Sequence, residues 1–264
     1  MQKYKDQLKV QKRRKLVTKM ALFFVVVAAF GVGLVYLLFF AGLLNVKEVH
    51  VNSPDELRAN ISRMIENWLD DGFWQLTPRN NILFFSADKL SASLAAQFPK
   101  LEKVTISKDF PHSLAISVTE RKPVGIWCLS GQDTCFYFDK NGMAFEETQK
   151  STGFLILTVV DRRTRELSLT EEVVGKEWLE NILDAREMLS KIGVDVSEFM
   201  IPADSFDEFH AVTASGWPIY FAIATGIEKQ INALDTFLKE KITPSQRAGL
   251  QYVDLRIQDR IYYK

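Results

Sequence analysis

The chain has 264 residues, 47% of them hydrophobic and 25% charged, with 33 basic and 33 acidic side chains that cancel. This composition excludes a collagen-like or disordered chain and leaves room for one large core or two modest ones. The zero hides two opposites: residues 1–19 carry eight Lys or Arg against one acid, Asp6, while 25 basic and 32 acidic residues lie in 45–264.

Between these regions runs Met20–Leu44, 25 residues without a charged side chain. As a helix it would be roughly 37 Å long, more than the ~30 Å hydrocarbon core of a bilayer. It is read as a single span into a lipid bilayer. Its basic flank predicts a cytoplasmic tail of residues 1–19 and a large region outside, because positive flanks stay inside. A cleaved signal peptide is the competing reading, but its apolar core runs roughly 7–15 residues and ends in a small-residue site. The run here is too long, and Phe39-Phe40-Ala41-Gly42-Leu43 offers no such site. Anionic lipid beside the span accounts for the basic tail more simply than nucleic acid does.

Past the span, Val46–Val51 reads as a short strand. Asn52-Ser53-Pro54 stops it and supplies a Pro for a first helical turn. Leu57, Ile61, Met64, Ile65, Trp68 and Leu69 recur at helical spacing and predict an amphipathic helix over 55–69, ended by Asp70-Asp71-Gly72. Those two acids read as a solvated turn rather than a calcium loop. Ser86 is a predicted N-cap for a helix marked by Leu90, Leu94 and Phe98 and ended at Pro99. Val104-Thr105-Ile106 and Leu114–Glu120 alternate as strands around Phe110-Pro111. The order is β-α-α-β-β, which suits one sheet with both helices on a single face.

Further on, Ile126-Trp127, Cys135–Asp139 and Met143-Ala144-Phe145 read as strands, with Asn141-Gly142 as a hairpin turn. Cys128 and Cys135 suit two hairpin strands around a turn. Two readings stand for them, a disulfide in an oxidising compartment or two small buried apolar side chains. Neither has a His or third Cys nearby for a metal. Phe154–Val160 is an apolar strand. Trp178, Ile182, Ala185, Leu189 and Ile192 mark a helix stopped at Gly193, and Phe206–Val212 pairs with Ile219–Ile223. Ile227, Ile231, Leu234, Leu238 and Ile242 mark a last helix, Leu250–Ile257 a strand, and Ile261-Tyr262-Tyr263 the start of another. The fold class is α+β, with a distal domain built on an antiparallel sheet.

Particular words in this series carry a resemblance: Leu83-Phe84, Phe98-Pro99-Lys100-Leu101-Glu102-Lys103-Val104, Phe110-Pro111, and Val118-Thr119-Glu120-Arg121-Lys122-Pro123-Val124, with Gly125 at a small-residue position. They resemble the POTRA domain of the FtsQ/DivIB cell-division family. Thr225-Gly226, Lys229 and Leu234, followed by Tyr252-Val253-Asp254-Leu255-Arg256, resemble that family's membrane-distal β domain. The Cys128/Cys135 pair is a departure from the pattern.

The resemblance implies a basic tail (1–19), a transmembrane helix (20–44), a POTRA-like domain (45–121) and a β domain (122–264). It also implies a non-enzymatic scaffold at the division septum, whose C-terminal strand region docks FtsB/FtsL-like partners through Tyr252, Val253, Asp254, Leu255, Arg256 and Ile257. Of these, Val253 and Leu255 are expected to face the core and Tyr252 and Arg256 to anchor the partner. An envelope transport component is the alternative, and an anchored cell-wall enzyme a weaker one. The dispersed His50, His112 and His210 and the lack of nucleophile, zincin or phosphate-loop motifs argue against catalysis, and no cofactor or metal is expected.

Overall fold

The computed structural model describes residues 2–39, 42, 44–70, 80–131, 134–151 and 156–264. Helix α1 (Gln2–Phe39) runs unbroken through the basic tail and most of the apolar run. Lys and Arg are good helix formers, so the charged segment extends the helix rather than ending it. The part long and apolar enough to cross a membrane is Lys15–Leu38, earlier than the expected Met20–Leu44. Phe40, Ala41 and Leu43 lie outside the described residues.

Next come β1 (Glu48–Asn52), α2 (Asp55–Asp70), α3 (Ala87–Gln97), β2 (Leu101–Asp109) and β3 (Ser113–Glu120). Among the described residues these strands form a sheet in the order β1-β3-β2, with β1 parallel to β3. Ser86 Oγ accepts the amide of Lys89 at 3.4 Å, as an N-cap should. Ile61 and Ile65 of α2, Leu90 and Leu94 of α3, and Leu114, Ile116 and Val118 of β3 are buried. The residues between them on β3 are not, so the helices cover one sheet face. Each such side chain contributes roughly 1.5–3 kcal/mol, and this face is what holds the unit together. The turn expected at Asp70-Asp71-Gly72 falls mostly outside the described residues.

The remaining elements are β4 (Gly125–Leu129), β5 (Cys135–Phe138), β6 (Ala144–Thr148), β7 (Leu157–Asp161), α4 (Lys176–Lys191), β8 (Val196–Ile201), β9 (Glu208–Thr213), β10 (Pro218–Ala222), α5 (Ile227–Glu240), α6 (Pro244–Arg247), β11 (Val253–Asp254) and β12 (Tyr262–Tyr263). The strands make one mixed sheet in the order β12-β11-β10-β9-β8-β7-β4-β5-β6 among the described residues. Antiparallel hairpins predominate as expected, but β4–β7, β7–β8 and β10–β11 run parallel. Helices α4 and α5 pack on one face of the sheet through Leu179, Ile182, Leu189, Ile231, Leu234 and Leu238, against Trp127, Phe199, Phe209, Phe221 and Val253. Of the predicted strand Phe154–Val160, the first two residues lie outside the described set, and β7 runs on to Asp161.

Geometry requires a glycine at positions 125 and 142. A Cβ on Gly125 would lie 2.6 Å from Phe138 Cζ and 2.7 Å from the Leu157 carbonyl oxygen, so close packing of β4 between its neighbours needs the bare backbone. Gly142 has φ +79° and closes the β5–β6 hairpin, its amide donating to the Asp139 carbonyl at 2.9 Å.

The chain divides into two compact units, Met1–Gln97 with Lys103–Thr119, and Phe98–Glu102 with Glu120–Lys264. Inside the second unit, Arg121 donates from Nε to the Pro99 carbonyl at 3.0 Å and from Nη1 to the Asp139 carboxylate. Asp139 is 2% exposed and also accepts the amides of Asn141 and Met143.

Candidate partner-docking surface

The expected strand over Leu250–Ile257 is much shorter in the structure. Only Val253 and Asp254 carry ladder pairing on both sides, parallel to Ile219 and Tyr220 of β10 and antiparallel to Tyr263 and Tyr262 of β12. One further bond, Leu255 N–H to the Tyr220 carbonyl at 3.0 Å, extends it. The Asp254 carboxylate then captures the Arg256 amide at 3.0 Å and diverts the backbone into the turn at Ile257–Arg260. The free sheet edge on this side is therefore β12, not the Tyr252–Ile257 segment.

Alternation sorts the side chains. Val253 (0% exposed) and Leu255 (3%) point into the core with Ile219, Phe221, Phe209 and Ala211. Tyr252, Asp254 and Arg256 stand on the other face, and their cross-strand neighbours place Tyr220, His210 and Glu208 beside them. Ile257, past the strand, is 53% exposed. It lines a cleft of about 340 Å³ with Gln230 and Ala233 of α5 and with Leu255 and Ile261.

On this outer face the rings pack in a row. His210 and Tyr220 centroids are 4.2 Å apart, and Tyr220 and Tyr252 are 5.8 Å apart at an interplanar angle of 10°. The Arg256 guanidinium lies 5.3 Å from the Tyr220 centroid, within cation–π range. Its Nε and Nη2 donate to Asp254 Oδ1 and Oδ2 at 2.9 and 2.7 Å, and its Nη1 donates to Glu208.

The ionic states follow from these partners. Arg256 is held even more firmly protonated than usual, first by its hydrogen bonds to Asp254. Burial opposes ionisation of Asp254, but the Arg256 side-chain and backbone hydrogen bonds outweigh it and hold the carboxyl below its ordinary range. Burial lowers the His210 pKa, and Glu208, 3.5 Å away, offsets part of that. At neutral pH the face thus presents a neutral imidazole, two tyrosines and a cation already engaged by two carboxylates.

Sequence reasoning placed Tyr252, Asp254 and Arg256 together and missed Glu208, His210, Tyr220, Tyr262 and Tyr263. The alternation Ile219-Tyr220-Phe221 is a signal that could have turned Tyr220 outward, but no local pattern says which strand will lie beside it. Tyr262 and Tyr263 are 47% and 52% exposed on the edge strand, and the Tyr263 ring rests 4.7 Å from Phe237.

Cys128 and Cys135 face each other across the β4–β5 ladder with Cα atoms 4.2 Å apart, and they are joined as a disulfide. Both are buried, in a small cluster with Ile126, Tyr137 and Ile156. Among the described residues, no group of three His, Cys, Asp or Glu is placed to hold a metal ion.

An apolar helix, a β-α-α-β-β unit and a larger mixed-sheet unit define an α+β protein with, among the described residues, one candidate membrane anchor. Residues 74–121 match the family described as POTRA domain, FtsQ-type. The chain therefore carries an FtsQ-type POTRA domain, and the match supports the resemblance to the FtsQ/DivIB family. No curated protein matches the chain.

Proposed function

We propose that this protein is a non-enzymatic divisome scaffold, anchored by α1 with its N-terminus in the cytoplasm and residues 45–264 outside. It recruits FtsB/FtsL-like partners to the septal membrane and so helps control septal peptidoglycan synthesis. The observation that carries the docking mode is the free edge of β12 beside the outer face of β9, β10 and β11. An edge strand offers unpaired amides and carbonyls to an added strand. Aromatic and arginine side chains, enriched among binding hot spots, flank this edge as Tyr252, Tyr262 and Arg256. Val253 and Leu255 contribute from beneath, by fixing the register of these neighbours.

The decisive experiment joins localisation to binding. A fluorescent fusion should gather at midcell, whereas a uniformly peripheral signal would favour an envelope transport role. Replacing Tyr252 and Arg256 with Ala should weaken capture of FtsB/FtsL-like ectodomains. Unchanged affinity with an intact fold would remove both residues from the docking surface.

A further inference from the structure

We infer that the β-α-α-β-β unit dips one end into the membrane interface beside α1, through Leu83, Phe84 and Phe110. The inference rests on reading α1 as a membrane anchor and goes beyond it. Among the described residues of 45–119, these are the only large hydrophobic side chains that are exposed, at 43%, 50% and 58%. Single exposed apolar residues need no explanation, but here the whole set lies at one end of the unit.

Three sets of contacts define that end. The Asn81 side chain, on a residue 1% exposed, donates from Nδ2 to the Leu38 carbonyl at 2.9 Å, the last residue of the span-length segment. Asn45 and Asn81 form an antiparallel bridge, and the Ile82 amide donates to the Leu44 carbonyl at 2.8 Å. The Lys47 amide donates to the His112 carbonyl at 2.8 Å, and the parallel β1–β3 register starts at Glu48 and Ser113. The turn holding Phe110 therefore sits where the chain arrives from α1.

Reach closes the argument. Consecutive Cα atoms are about 3.8 Å apart, so Leu83 and Phe84 are at most about 8 and 11 Å along the chain from Asn81. Asn81 is itself bonded to the helix end. Apolar and aromatic side chains held at that height enter the boundary between headgroups and acyl chains. The lipid surface is the occupant because these residues are continuous with the end of the candidate span.

The test uses the full chain in nanodiscs of phosphatidylethanolamine and phosphatidylglycerol. Nitroxide labels go on single cysteines at Leu83→Cys, Phe84→Cys and Phe110→Cys. Val32→Cys is the control inside the span, and Glu56→Cys, at the opposite end of β1, the control in water. Power saturation should place the first three roughly 5–10 Å into the boundary region, with Val32 deeper and Glu56 aqueous. The three reading as aqueous as Glu56 while Val32 reads deep would overturn the inference and leave the anchor standing. An aqueous Val32 would overturn both. Without any substitution, a photoactivatable phosphatidylglycerol should leave adducts on peptides containing 82–84 and 110–112. Adducts confined to α1 would count against the inference.

Discussion

Arg256 grips Asp254, two residues before it, with both arms of a bidentate hydrogen bond, Nε to Oδ1 at 2.9 Å and Nη2 to Oδ2 at 2.7 Å. The same Asp-x-Arg arrangement recurs at Asp161 and Arg163, again with the arginine amide on Oδ1 and the guanidinium over an aromatic ring, here Trp178. In both cases the clasp follows a strand and turns the backbone away from its ladder. Arg256 differs in also reaching Glu208, so it ties β9 to the segment after β11.

Replacing Arg256 with Ala should therefore loosen the outer face of β9–β11 as well as remove a cation. Hydrogen bonds to charged groups are worth about 1.5–3 kcal/mol, so a loss in that range is expected in chemical denaturation. Arg256→Lys keeps the charge but not the planar fork, and should recover only a minor part. Full recovery by Lys would show that charge alone matters.

Acid should weaken the second unit in two steps. A lowered folded pKa means that the unfolded chain takes up the proton first as pH falls. For His210, whose ordinary value is 6.5, stability is complete above that pH and declines as pH drops through the folded value. For Asp254 the decline begins only below its ordinary 3.8. Denaturation midpoints across this range should show the upper step in the native chain and its absence in His210→Gln. An unchanged upper step in that variant would assign it elsewhere.

The Arg121–Asp139 pair should be costly to break. The Asp139 side chain is 4% exposed and that of Arg121 17%, so Arg121→Ala leaves a buried carboxylate without its cation. Losing one partner of a buried pair typically costs about 3–5 kcal/mol. Arg121→Ala with Asp139→Asn should cost less than the sum of the two single changes, as read from urea midpoints.

The proposed addition of a partner strand at β12 makes a backbone prediction. Lys264 turns its amide to the Tyr252 carbonyl and its carbonyl to the Gln251 amide, so alternation turns the Tyr263 amide toward the free edge. Tyr263→Pro removes that outward donor and leaves the β11–β12 bonds alone. Binding of an added strand should weaken by roughly 3–10-fold, the equivalent of one net hydrogen bond. Calorimetric titration showing equal affinity would exclude this edge.

Much of the first unit was legible because its signals are local. Leu90 and Leu94 at helical spacing, Ser86 before them and Pro99 after, bound α3 without reference to anything distant. The same holds for Leu114, Ile116 and Val118 on β3. The strand β8 was missed: Val196-Ser197-Glu198-Phe199-Met200-Ile201 buries only Phe199 and Ile201, and nothing within six residues separates it from a loop.

By itself the sequence determined the apolar helix, the β-α-α-β-β order and the inward turn of Val253 and Leu255, since each follows from spacing along one segment. The tertiary structure decided which strand is the edge and who stands beside Arg256. Glu208 and Tyr220 reach it from 48 and 36 residues away, through a parallel β10–β11 pairing that no residue in Tyr252–Ile257 encodes. Periodicity sets the face a side chain takes, but neighbours across a sheet are chosen by how the helices α4 and α5 bury the opposite face.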